Sequence, residues 1–313
     1  MKVSYKDILH ARELIQDTIY PTPIVRLHAL EERVGCKVYA KLENMQLTHS
    51  FKIRGALNAI RSLSDEALER GIIAGSSGNH GQAVSFLDSK LGIPCVIVVP
   101  DTASPFKVDK IQKNGARLEF CPAEKRYEVT DEIAAREGLT VISSADHEHI
   151  IAGQGTIGLE LNESEIDFTK IIVPTSGGGL LGGISLAVKE GGGKAQVIGA
   201  ESTQIPRFSV SLEKNEITTV PQLPTIADAL VLNKPGNITF DVVKKYADGV
   251  VAVDESTIIE ARKLLLDECK ILAEYSSSIG LAAVMEGKIS LSEQDTVCLV
   301  ISGGNTSVEG GSM

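Results

Sequence analysis

The sequence contains no tryptophan, and aromatic residues make up only 4% of it. That scarcity has no functional reading of its own. Positive charge is also short: 31 Lys and Arg stand against 41 Asp and Glu, a net charge of −10. A nucleic-acid binder shows a basic face, so no nucleic-acid partner is expected. No apolar run approaches the roughly 18 residues that mark a membrane-spanning helix, so no membrane partner is expected. The N-terminal MKVSYKDILHARELIQD is charged throughout and is no signal peptide. These absences lead to a cytoplasmic expectation. The five cysteines, Cys36, Cys95, Cys121, Cys269 and Cys298, show no CxxC spacing. That excludes a zinc ribbon or a CxxC redox motif. Cys95 and Cys298 sit in apolar runs and read as small buried hydrophobes.

What is present is length, alternation and glycine. The chain has 313 residues, enough for two domains or one large α/β unit. Its 29 glycines exceed the usual share. Strand-like runs are KVYAKL (37–42), GIIAG (71–75), CVIVVP (95–100), RLEFC (117–121), TVISS (140–144), KIIVPT (170–175), QVIGA (196–200), GVVAVD (249–254) and TVCLVIS (296–302). Helical patterns lie between most of them. Such alternation predicts an α/β fold of parallel sheets with helices on both faces. Ligands in these sheets bind where strands end and helices begin. Residues 203–225 read as a surface loop. His147 and His149, two apart, read as a solvated turn.

Three loops that follow strands carry the chemistry. After KIIVPT come Ser176, Gly177, Gly178 and Gly179, then a helical pattern from Leu180. Glycines opening a helix expose backbone N–H groups and form a phosphate site. The loop lacks the P-loop lysine and the dinucleotide fingerprint. After KVYAKLENMQ comes Leu47-Thr48-His49-Ser50-Phe51-Lys52, with Ser50 placed to cap a helix starting near Lys52. A lysine in the first helical turn opposes the dipole, which lowers its pKa and favours the free amine needed for Schiff-base chemistry. After GIIAG comes Ser76-Ser77-Gly78-Asn79-His80-Gly81, whose hydroxyls, carboxamide and N–H groups suit a small carboxylate. Taken singly, each loop also fits a packing turn, a solvated lysine or an N-cap.

Taken together they resemble the fold type II pyridoxal-phosphate enzymes, specifically the serine/threonine dehydratase and serine racemase group. YPTPIVRL, KLENMQLTHSFKIRGA, SSGNHGQA, IAGQGTIGLE, SGGGLLGG, TIADAL, NKPG and ISGGN occur in family order along nearly the whole chain. The resemblance implies two open, twisted, mostly parallel sheets with helices on both faces, as in tryptophan synthase β, with the cofactor between two domains. Residues 1–70 and 149–313 would form the large domain, and 71–148 a small, mobile one. Lys52 would carry pyridoxal 5'-phosphate, with Phe51 alongside the ring and Asn79 on the ring hydroxyl. Ser176, Gly177, Gly178, Gly179 and Leu180 would hold the phosphate, and Ser302 would meet the pyridine nitrogen. Ser76, Ser77, Asn79 and His80 would bind the carboxylate of a small amino-acid substrate. A homodimer is the family expectation.

The implied activity is an L-threonine/L-serine dehydratase, a lyase releasing a 2-oxo acid and ammonia. Lys52 would take the α-proton and the β-hydroxyl would leave. A serine hydroxyl at position 302 gives the ring no formal proton, which favours elimination over transamination. Several positions depart from the pattern. Ser77 stands where dehydratases carry Ala and racemases carry Ser, so serine racemase is the alternative. Glu201 matches a carboxylate that helps bind a monovalent or divalent cation, but Arg207 falls where the racemases have a second acidic ligand. His49 replaces a Gly of many relatives. Ala229 and Tyr275–Ser278 alter the surroundings of the ring; the serine hydroxyls suit either a polar substrate such as 3-hydroxyaspartate or helix caps. The sequence ends soon after Asn305, so no regulatory domain is expected.

Overall fold

The computed structural model describes residues 2–307. Its strands are β1 (Ile24–Arg26), β2 (Lys37–Leu42), β3 (Ile72–Gly75), β4 (Cys95–Pro100) and β5 (Arg117–Cys121). They continue as β6 (Thr140–Val141), β7 (Lys170–Pro174), β8 (Gln196–Ser202), β9 (Gly249–Val253) and β10 (Thr296–Ile301). Among the described residues they form a six-stranded sheet, β1-β2-β10-β7-β8-β9, and a four-stranded sheet, β5-β4-β3-β6. The pairs are parallel except β1 with β2 at an edge. Every residue of β4 is buried, as a strand covered on both faces requires. The period of two is visible in β10. Val297, Leu299 and Ile301 face a layer with Ile279 and Leu281, whereas Cys298 and Val300 face Leu181 and Ile184.

Each expected strand is present, but β1 and several helices were not foreseen. The most consequential is Glu148–Asn162, which is buried along most of its length. Glycines 153, 155 and 158 disfavour a helix by propensity. Here they permit contact of backbone on backbone. A Cβ on Gly153 would lie 2.6 Å from Gly55 Cα in the helix Lys52–Arg61. A Cβ on Gly155 would lie 3.0 Å from the Gly183 carbonyl in the helix Gly179–Glu190. The helix therefore braces, from behind, the two helices whose N-termini were expected to bind cofactor. His147 is its N-cap and His149 lies in its first turn, so this pair is not a solvated turn.

The segment 203–225 is likewise not all surface loop. Arg207–Lys214 is a helix with Arg207, Phe208 and Ser211 buried. Ser50 does not cap the lysine helix: Phe51 occupies the N-cap, and the Ser50 hydroxyl is buried without a hydrogen-bond partner. Thr48 and His49 both take positive φ (62° and 56°), which turns the chain into Ser50. The carbonyls of Thr48 and His49 accept from Asn305 Nδ2 (2.9 Å) and Gly304 N (3.0 Å). Beneath this turn Arg54 bonds both oxygens of Glu43 (2.8 and 2.9 Å) and reaches Glu160 at 2.5 Å. Lys41 also reaches Glu160 (2.5 Å) and the Thr22 carbonyl (2.7 Å).

Candidate active site at the carboxyl ends of the two sheets

Loops that follow the strand ends of both sheets meet at one cleft. Its outer part includes Lys52, Ser76, Ser77, His80, Arg126 and Lys107 in its lining. An inner part is lined by Phe51, Lys52, Asn79, Ser176–Leu181, Glu274 and Ser302, among others. The sequence-predicted cofactor residues are thus brought together, with the expected substrate serines at the mouth. This placement follows the rule that open α/β sheets bind ligands beyond their strand carboxyl ends.

Lys52 is the first residue of its helix. Its Nζ donates to the Ser144 carbonyl at 2.7 Å and lies 5.0 Å from the centre of the Phe51 ring. Its pKa is lowered to about 8, chiefly by burial, with Glu274 opposing. The lowering matches the sequence reading, but the leading cause is desolvation rather than the helix dipole.

The glycine loop links β7 to the helix Gly179–Glu190. Gly178 has φ +91°, and a Cβ there would run into the Phe208 ring. The first N–H groups of this helix have no acceptor within it, and the residues that carry them line the inner cavity, where such groups can serve as anion donors. Thr239 Oγ1 holds the Gly177 carbonyl at 2.6 Å. Asp146 in turn accepts from the N–H groups of Asn237, Ile238 and Thr239. Asp146 lies two residues beyond Ser144, so one short segment braces both the lysine and the glycine loop.

Asn79 is held at both ends of its carboxamide. Its Nδ2 donates to Glu274 (2.8 Å), and its Oδ1 accepts from Asn305 (2.8 Å). Ser302 Oγ lies 2.9 Å from Ser277 Oγ, which also bonds Gly303. So Ser277, in the helix after Glu274, packs against Ser302, and Ser276 bonds the Ala229 N–H (3.0 Å). His80 Nε2 meets the Ile142 carbonyl at 2.9 Å. Burial, and then Lys52, push its pKa down to about 3, so the ring is neutral and donates that proton. A neutral His80 offers no charge to a carboxylate.

Charge is offered by two residues that sequence reasoning missed. Arg126 lines the outer cleft with its Nε buried and unpaired. Lys107, also in the lining, pairs with Asp228. Glu274, which precedes the noted Tyr275–Ser278, and Asn305, in the motif ISGGN, were given no role by the sequence. Glu201, expected to help hold a cation, is buried. Its oxygens accept from Phe208 N (3.0 Å) and Ser209 N (2.7 Å), with Arg207 at 3.8 Å. Among the described residues no cluster of three His, Cys, Asp or Glu is arranged for a metal.

A buried, readily deprotonated lysine opposite a glycine cradle is what a phosphate-bearing aldehyde cofactor requires, and the residues present fit pyridoxal phosphate. The sequence matches the pyridoxal-phosphate dependent enzyme family over residues 15–303. It is 39% identical to an L-threonine ammonia-lyase of Thermotoga maritima over 308 residues, covering 98% of this chain and 76% of that relative. The fold superposes on maize serine racemase with a TM-score of 0.94 and 34% identity, covering 99% of this chain and 95% of that one. A threonine deaminase of T.th. gives 0.91 and 31%, covering 97% and 99%. The chain belongs to the pyridoxal-phosphate dependent enzymes, with the two-sheet architecture of their fold type II.

Proposed function

We propose that the protein is an L-threonine/L-serine ammonia-lyase, eliminating the β-hydroxyl of its substrate to give a 2-oxo acid and ammonia. The observation that carries this reading is Lys52, buried and lowered to about 8, facing the glycine cradle and Ser302 across one cavity. Lys52 would hold the cofactor, Phe51 would lie beside its ring and Asn79 would meet the ring hydroxyl. Ser176–Leu180 would hold the phosphate and Ser302 the ring nitrogen. When bound, the cofactor supplies an electron sink for the bonds at the substrate α-carbon. Ser76, Ser77 and the backbone N–H groups of Asn79 and His80, at the start of the helix Asn79–Leu91, would donate hydrogen bonds to the substrate carboxylate, since the one ring proton of neutral His80 is held by Ile142. Lys52 would then take the α-proton as general base. Ser302 brings no charge to the ring, which favours loss of the hydroxyl over a long-lived carbanion. A cytoplasmic homodimer with a mobile unit at 71–148 completes the reading.

Ser77 favours a second activity. Its hydroxyl lines the cleft mouth, where a proton donor could serve racemisation. The decisive experiment incubates wild type and Ser77→Ala with L-threonine and L-serine, measuring 2-oxo acid and D-amino acid together. The lyase reading predicts 2-oxo acid as the main product of wild type and at most a severalfold loss in Ser77→Ala. Dominant D-serine that disappears in Ser77→Ala would overturn it in favour of the racemase.

A further inference from the structure

We propose that Glu274 is a positioning residue of this site: its carboxylate orients Asn79 and stabilises the ammonium that Lys52 becomes when it takes the substrate proton. The inference rests on the lyase reading and deepens it.

Among the described residues lining the inner cavity, Lys52 and Glu274 are the ones that carry charge. Glu274 is 6% exposed and stands at the N-cap of the helix Tyr275–Met285. Its Oε1 accepts from Asn79 Nδ2 at 2.8 Å. Asn305 occupies the carboxamide oxygen of Asn79 at 2.8 Å. A carboxamide has two N–H donors, so one remains for the cavity, in an orientation set from both ends. Gly303 keeps Glu274 in place from behind: a Cβ there would sit 2.8 Å from Oε1. The same helix supplies Ser277, which bonds Ser302 and Gly303. One element thus supports the ring-nitrogen residue and carries the carboxylate.

The groups facing Glu274 are Lys52 from its helix, Lys107 and Lys110 from the helix Pro105–Lys113, and Asp228 from the loop before Ala229. Burial and Asp228 raise its pKa, while Asn79, Lys107 and Lys52 lower it, leaving it at about 7. Glu274 in turn favours the charged form of Lys52. When Lys52 accepts a proton, a cation forms in a buried cavity, and a nearby carboxylate offsets the desolvation. Below about pH 7 Glu274 is itself protonated and this help is lost.

The test compares wild type with Glu274→Gln, Glu274→Asp and Glu274→Ala, each loaded with pyridoxal phosphate. Four quantities are read: cofactor affinity, the pH dependence of the visible absorbance, and kcat and KM for L-threonine from pH 5.5 to about 9, a window that spans the ordinary histidine range. Wild-type kcat is expected to fall as pH drops through about 7, and its absorbance to titrate there. Glu274→Gln keeps the acceptor for Asn79, so it retains affinity within about threefold and KM within about twofold. Its kcat falls roughly tenfold, the equivalent of one pKa unit on Lys52, and the step near pH 7 disappears from rate and absorbance. Glu274→Asp keeps a displaced step, and Glu274→Ala weakens cofactor binding as well. A Glu274→Gln enzyme with the wild-type kcat and the wild-type step overturns the proposal. A coloured wild type that forms no 2-oxo acid overturns the lyase reading instead, and the absorbance titration then still decides the role of Glu274.

Discussion

The Nζ of Lys52 donates to the Ser144 carbonyl at 2.7 Å, a bond between a helix that follows β2 and a segment that follows β6. The lysine of one sheet is parked against the backbone of the other. A carbonyl accepts from amine and ammonium alike, so the bond holds Lys52 in position without fixing its charge.

That arrangement gives a pH prediction for cofactor loading. The free amine reacts with an aldehyde, and the Lys52 pKa is lowered to about 8. The loading rate of cofactor-free protein should therefore rise with pH and level off above about 8. An ordinary surface lysine, near 10.4, would still be rising there. Stopped-flow absorbance from pH 6.5 upward checks this, and Lys52→Ala should form no lysine-linked colour at any pH.

Gly178→Ala tests the phosphate cradle. At φ +91° an alanine is strained, and its Cβ meets the Phe208 ring and lies 3.0 Å from Thr239 Cβ. A strained backbone residue of this kind costs about 1–3 kcal/mol. The loop is expected to shift and weaken pyridoxal phosphate binding at least tenfold in an equilibrium titration. Gly192→Ala, at φ +82° but with nothing near its Cβ, should change stability without changing cofactor affinity.

Arg54→Met tests the support of the lysine helix. Glu43 is fully buried, and Arg54 bonds both of its oxygens. Removing one partner of a buried pair typically costs ~3–5 kcal/mol, because the other charge is left in the interior. Urea unfolding at pH 7 should show a loss of that size. The double variant Arg54→Met/Glu43→Gln should recover part of it, since no unpaired carboxylate then remains.

Much of the architecture was legible because strands buried on both faces leave unbroken apolar runs, as in CVIVVP and TVCLVIS. The cofactor loops were legible because glycine and polar residues between a strand and a helix have few structural uses in combination. The helix Glu148–Asn162 was hidden by its glycines, whose purpose is a contact with residues about 30 and 100 positions away that no local pattern encodes. Glu274 and Arg126 were missed for a related reason. A lone acidic or basic residue looks like a solvated face until the fold shows which residues bury it. The lowered pKa of Lys52 was foreseen from its helical position, whereas its main cause is burial, which a sequence window does not contain.

The glycine contacts behind the site bear on how this protein can change over time. Gly153 meets Gly55, and Gly155 meets Gly183, so the interval between lysine and phosphate cradle is set by main-chain thickness. The side chains of Gln154 and Ile8 fill in around these backbone contacts. Enlarging Gly55, Gly153, Gly155 or Gly183 would push these helices apart and lengthen the reach from amine to phosphate. New specificities can therefore arise at the cleft mouth, around Ser77, Arg126 and Ala229, while the cofactor seat keeps a fixed gauge.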